Sequence, residues 1–121
     1  MAKILAADGI SEKGIEILRQ DFEVDVRDKI SAEELLNIIG DYDALMVRSA
    51  SKVTAEVIER AKNLKIIGRA GVGVDNIDIP AATAKGIIVI NSPGGNTIAA
   101  TERMYVLWQR QREKCSQSFL Q

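Results

Sequence analysis

Two arginines stand where short apolar runs end. Leu64 to Ile67 reads as a buried strand, and it breaks into Gly68-Arg69-Ala70-Gly71-Val72-Gly73. Glycine in such a turn allows positive φ and lets a ligand come close to main-chain N–H groups. Arg69 adds a fixed cation with a planar fork of donors, suited to carboxylate or phosphate. Ala44 to Val47 is a second apolar run, ending in Arg48-Ser49, and Ile87 to Ile90 is a third, ending in Asn91-Ser92-Pro93-Gly94-Gly95-Asn96-Thr97. In a parallel sheet the three ends share one edge, where ligands of open α/β sheets collect. Two guanidinium groups, a serine hydroxyl, an Asn side chain and backbone N–H groups are chemistry for a small polyanion. The alternative is a tight connection, with the arginines solvated or paired with Asp75 and Asp78.

Other chemistries fit less well. The dinucleotide fingerprint Gly-x-Gly-x-x-Gly fails because position 76 is Asn, and the stretch does not follow the first strand. Asp75 and Asp78 could form a carboxylate pair, but Asp78 before Ile79-Pro80 is well placed to cap a helix. Asp8 ends the first strand, as in magnesium-dependent phospho-acceptor domains. Those also need an Asp at the end of the third strand, where this chain has Arg48, so no metal is expected. Cys115 has no metal-ligand spacing around it and reads as a thiol without a role. Histidine is absent, which excludes any mechanism in which this chain supplies its own imidazole.

A net charge of −1 over 121 residues argues against a general nucleic-acid binder. The length suits one domain. Aromatic residues make up only 4%, so the core must come from Ile, Val, Leu and Ala. The single cysteine rules out a disulfide within the chain and fits a cytoplasmic protein. No segment has the apolar length of a membrane span, and the N-terminus lacks a signal-peptide pattern.

These strand ends need a scaffold, and the hydrophobic pattern supplies one. Strands are expected at Lys3 to Ala7, Phe22 to Val26, Ala44 to Val47, Leu64 to Ile67 and Ile87 to Ile90. The second alternates Phe-Glu-Val-Asp-Val, as an edge strand does. Between them lie helices over Glu12 to Gln20, from Ser31 to Gly40, over Ala55 to Lys62 and over Ile79 to Lys85. Ser11, Ser31 and Thr54 are the expected caps, Ser31-Ala-Glu-Glu34 matching a capping box. Pro80 sits harmlessly in a first turn, Gly86 closes that helix, and Asn96 and Thr97 cap a last helix from Ile98. Five alternations of strand and helix imply an α/β fold. The expected form is a flavodoxin-like, doubly wound, five-stranded parallel sheet of order 2-1-3-4-5 with helices on both faces.

The run Gly68 to Asp78, then Ala81-Ala82, Lys85-Gly86-Ile87 and Asn91 to Thr97, together with Val47 to Thr54, resembles the D-isomer-specific 2-hydroxyacid dehydrogenases over about residues 3 to 102. Within that family it is most similar to the NAD-dependent members that oxidise 3-phospho-D-glycerate to 3-phosphohydroxypyruvate in serine biosynthesis. The resemblance implies a substrate-binding domain whose ligand is a small phosphorylated hydroxyacid. Arg48 and Arg69 would hold its phosphate or carboxylate, Ser49 and Asn96 would add polar contacts, and the Val72-Gly73 amides would hold the carboxylate. Val72 would also approach the nicotinamide end of NAD.

The family pattern continues into a Rossmann domain carrying a catalytic Arg, Glu and His, and none of these positions occurs here. The expectation is a substrate-binding domain over residues 1–102, catalytically inactive alone and unable to bind NAD tightly. Residues 103–121 depart from the family, which has a histidine and an apolar helix there; they read as a non-native tail. Otherwise they form a genuine last helix in which Met104, Leu107 and Trp108 pack on the domain or on a second copy, with self-association through exposed apolar surface. A dehydrogenase for glycerate or lactate, and a free-standing non-catalytic ligand-binding or dimerisation module, are the competing readings.

Overall fold

A computed structural model describes residues 3–8, 12–20, 22–27, 29–48, 51–70, 76–92, 102–108 and 110. The strands are β1 (Lys3–Ala7), β2 (Glu23–Arg27), β3 (Ala44–Val47), β4 (Ile66–Ala70) and β5 (Ile88–Ser92). The helices are α1 (Glu12–Arg19), α2 (Ala32–Ile38), α3 (Ala55–Arg60) and α4 (Ile79–Ala84), and residues 102–108 form a further helical stretch, α5. Every strand pairing is parallel, and the order is β2-β1-β3-β4-β5. That is the expected flavodoxin-like sheet, with β2 on an edge.

Period-2 alternation divides the strands between two cores. Leu5, Ala7, Leu45, Val47 and Ile67 face one side and pack with Leu35, Val57, Ile58 and Ala82 from α2, α3 and α4, and with Ile39 just after α2. Ile4, Ala6, Ala44, Met46 and Ile66 face the other, with Ile15 and Leu18 of α1, Phe22, and Met104 and Trp108 of α5. Phe22 meets Tyr105 and Trp108 edge to face, with ring centroids 5.7 and 5.9 Å apart. Met104 is fully buried and Trp108 is 7% exposed, whereas Val106 on the outer side of α5 is 50% exposed.

The local signals for helix starts hold. Ser31 Oγ accepts from the Glu34 N–H at 3.1 Å, Thr54 Oγ1 from the Val57 N–H at 3.4 Å, and Asp78 Oδ1 from the Ala81 N–H at 3.1 Å. Each satisfies a donor that the first helical turn leaves open. Pro80 lies in the first turn of α4, and Gly86 follows that helix with φ at 75°. The expected caps Ser11, Asn96 and Thr97 lie outside the described residues.

Several boundaries shift by a residue or two, and three differences have a reason in the packing or the pairing. Gly40 does not end its helix: a 3-10 turn, Ile39–Asp41, carries the chain through it. A Cβ at position 40 would lie 3.2 Å from the Arg60 carbonyl oxygen, so the glycine serves close packing. β4 does not break at Gly68. It continues through Arg69 and Ala70, because β3 and β5 offer pairing partners on both sides, and this tertiary pairing overrides the local preference of glycine. β5 likewise runs on through Asn91 and Ser92, opposite Arg69 and Ala70.

Candidate functional site

In a parallel sheet all C-terminal ends fall on one edge. Here that edge carries Asp8 after β1, Arg48 after β3, Arg69 within the last residues of β4 and Asn91 within those of β5. The register sets Val47 against Arg69 and Arg69 against Asn91. The two arginines therefore stand on adjacent strands, one residue apart in register.

Their surroundings differ. Arg69 is 7% exposed, while Arg48 is exposed. The expectation that Arg69 belongs to a glycine turn is corrected: it is a strand residue, held by ladder bonds to β3 and β5. Ser49, Val72, Gly73 and Asn96 lie outside the described residues, as does Asp75. The Asp78 carboxylate caps α4, which is the alternative that Pro80 pointed to.

Two further side chains organise this edge. Asp8 follows β1 with φ at 65°, a left-handed conformation that Asp tolerates better than most residues. Its Oδ2 accepts the backbone N–H groups of Arg48 at 3.0 Å and Ser51 at 2.9 Å, and its Oδ1 accepts the Ser51 hydroxyl at 2.7 Å. From the other side, Asn76 Nδ2 donates to the carbonyl oxygens of Arg48 at 2.7 Å and Ser51 at 2.6 Å. A short parallel bridge, Val53 to Ile77, continues this junction: the Val53 N–H donates to the Asn76 carbonyl at 2.7 Å, and the Asp78 N–H to the Val53 carbonyl at 2.9 Å. A shallow cleft of about 380 Å³ lies along it, lined by Lys52, Val53, Thr54, Asn76, Ile77 and Asp78.

Sequence reasoning passes over Asp8 and Asn76 in these roles. Asp8 drew notice as a metal ligand, yet its oxygens are engaged by three donors, and among the described residues no cluster of His, Cys, Asp or Glu could hold a metal ion. Asn76 drew notice only as the residue that breaks the dinucleotide fingerprint. The available signal was the residue type: an Asp at a strand end beside Gly9, and an amide next to an apolar residue.

Cationic groups at adjacent strand ends suit an anion. The family description "D-isomer specific 2-hydroxyacid dehydrogenase, catalytic domain" matches residues 4–106. The chain is 59% identical over 102 residues to D-3-phosphoglycerate dehydrogenase of Synechocystis, covering 84% of this chain and 18% of that protein. It is 53% identical over 117 residues to the enzyme of that name from Archaeoglobus fulgidus, covering 96% and 22%. Its fold superposes on NAD⁺-bound 3-phosphoglycerate dehydrogenase of Entamoeba histolytica with a TM-score of 0.67 and 34% identity, covering 77% of this chain and 33% of that one. The chain spans about a fifth of the length of the curated relatives it matches. Among the described residues, no helix is long and apolar enough to cross a membrane.

Proposed function

This chain belongs to the D-isomer specific 2-hydroxyacid dehydrogenase family, and we propose that it is the substrate-binding part of an NAD-dependent oxidoreductase converting 3-phospho-D-glycerate to 3-phosphohydroxypyruvate. The observation that carries the reading is the pair of arginines on adjacent strand ends, Arg69 in register with Val47 and Arg48 next after Val47. Two cations favour a substrate with both a phosphate and a carboxylate over one with a carboxylate alone. Arg48 and Arg69 would hold these groups. Ser49 and Asn96 would add polar contacts, and the Val72-Gly73 amides would bind the carboxylate. The names of the relatives from Synechocystis and Archaeoglobus support the choice of substrate.

NAD belongs to the same proposal for the intact enzyme, with Val72 the one position here to approach its nicotinamide. The described residues do not fit a dinucleotide. At position 76, where the fingerprint needs glycine, both Asn76 amide hydrogens are engaged by the carbonyls of Arg48 and Ser51. No part of hydride transfer is therefore assigned to them, and the chain alone is expected to be inactive.

Of the two readings of residues 103–121, a non-native tail and a genuine last helix, we propose the second, with the domain running on past residue 102. The burial of Met104 and Trp108 supports counting residues 102–108 with the folded unit. Self-association is proposed through the exposed side of α5 around Val106; sedimentation at rising concentration tests it. A cytoplasmic location rests on the single cysteine.

The direct test is titration of the purified chain with 3-phospho-D-glycerate, D-glycerate and D-lactate, followed by amide chemical shifts. The phosphorylated acid should bind most tightly, and Arg48→Met and Arg69→Met should each weaken it about tenfold or more. Equal binding of D-glycerate or D-lactate would overturn the substrate assignment. A rise in NADH absorbance on adding NAD and substrate to the chain would overturn its inactivity.

A further inference from the structure

We propose that Asp8 and Asn76 are positioning residues, which fix the backbone of Arg48 so that its exposed side chain meets an anion from one preset origin. The inference rests on the reading above that Arg48 binds the substrate.

Arg48 and Ser51 are held by the same two side chains. Arg48 gives its N–H to Asp8 and its carbonyl to Asn76; Ser51 does the same, and adds its hydroxyl to Asp8. One side chain only accepts and the other supplies only its amide hydrogens, so the two cannot exchange roles. Ionised Asp8 makes charge-assisted bonds, stronger than a neutral acceptor would give. Their origins lie far apart in sequence, Asp8 at the end of β1 and Asn76 beyond β4. The clamp thus refers the Arg48 backbone at once to the end of β1 and to the segment leading into α4.

A long, exposed arginine has many rotamers to lose on binding. Restricting the backbone from which it springs leaves those rotamers free but removes the separate cost of fixing the main chain before the ligand arrives. Ser51, 6% exposed, anchors the same two side chains in the protein body. These hydrogen bonds also serve the fold, so the test couples the clamp to the arginine side chain.

The experiment is a double-mutant cycle of Asp8→Asn with Arg48→Met in the chain, read by the dissociation constant for 3-phospho-D-glycerate and by amide hydrogen exchange at positions 48 and 51. Asp8→Asn should weaken binding about tenfold when Arg48 is present and less than about twofold when it is Met. Exchange at positions 48 and 51 should quicken about tenfold or more, while β1, β3 and β4 keep their protection. Asn76→Ala should repeat the pattern, and it replaces Asp8→Asn should that variant not fold. Equal losses in both backgrounds would overturn the proposal, as would quickened exchange with unchanged binding. If the unmutated chain binds no 3-phospho-D-glycerate, the substrate reading fails first and the positioning role fails with it. If it binds, Arg48→Met abolishes binding and the clamp variants bind normally, the positioning role alone fails.

Discussion

The Tyr42 hydroxyl donates to Asp25 Oδ2 at 2.6 Å, joining the start of β3 to the middle of edge strand β2. Burial, then the hydrogen bond and the negative charge of Asp25, push the Tyr42 phenol up to about 12 from 10.0. The folded protein therefore keeps this proton between about pH 10 and 12, where the unfolded chain releases it. The stability that the group contributes is complete below about pH 10 and is lost as the pH rises towards 12. Ultraviolet titration of the two tyrosines should show one ionising late, and Tyr42→Phe should remove that step. At neutral pH the same substitution should cost about 1–2 kcal/mol in denaturant unfolding.

Gly68 tells a different story. A Cβ there would lie 2.7 Å from Met46 Sδ and 2.9 Å from Met104 Cε. Its missing side chain lets α5 sit down on the sheet. Gly68→Ala should destabilise by about 1–2 kcal/mol, held to that range because both neighbours are ends of flexible methionines. The loss should shrink in a Met104→Ala background, since the two sites share one space. Thermal unfolding of the four proteins checks both statements.

Trp108 is the chain's one tryptophan. It packs on Phe22 and lies under Lys65, whose Nζ is 5.4 Å from the ring centroid. Trp108→Ala should cost about 3–5 kcal/mol. Tryptophan fluorescence of the unmutated chain should shift to the red in one transition, together with the loss of helical circular dichroism. A fluorescence change preceding that loss would mean that α5 separates before the sheet unfolds.

Gly86 tests backbone freedom alone. It has φ at 75°, and no atom lies within 4 Å of where a Cβ would stand. Gly86→Ala should cost about 1–2 kcal/mol from left-handed strain, and Gly86→Asn should cost less, because Asn tolerates that region. Equal costs for the two in denaturant titrations would point to a contact rather than to φ.

Signals that act over a few residues were legible in the sequence. Ser31, Thr54 and Asp78 cap the helices assigned to them, and the alternation of apolar runs gave the parallel sheet and its order. What escaped depends on partners distant in the chain. Gly68 looked like a turn glycine because its reasons, Met46, Met104 and the two flanking strands, lie outside its local sequence. Asp8 and Ser51 meet only after β1 and β3 pair, so no spacing rule announces their hydrogen bond. Of the candidate site, the placing of Arg48 and Arg69 at neighbouring strand ends was legible; the inclusion of Arg69 in β4 and the clamp around Arg48 were not.

The unequal covering of the two sheet faces also sets an order on synthesis. Among the described residues, the core beneath α2, α3 and α4 draws on nothing later than Val89. The core on the other face needs Met104 and Trp108 to close over Phe22 and Met46. A chain emerging from the ribosome can therefore finish one face while the other has only α1 and Phe22 over it. In that interval part of the strip formed by Ile4, Ala6, Met46 and Ile66 faces water, and the nascent protein depends on the next turns of helix to hide it.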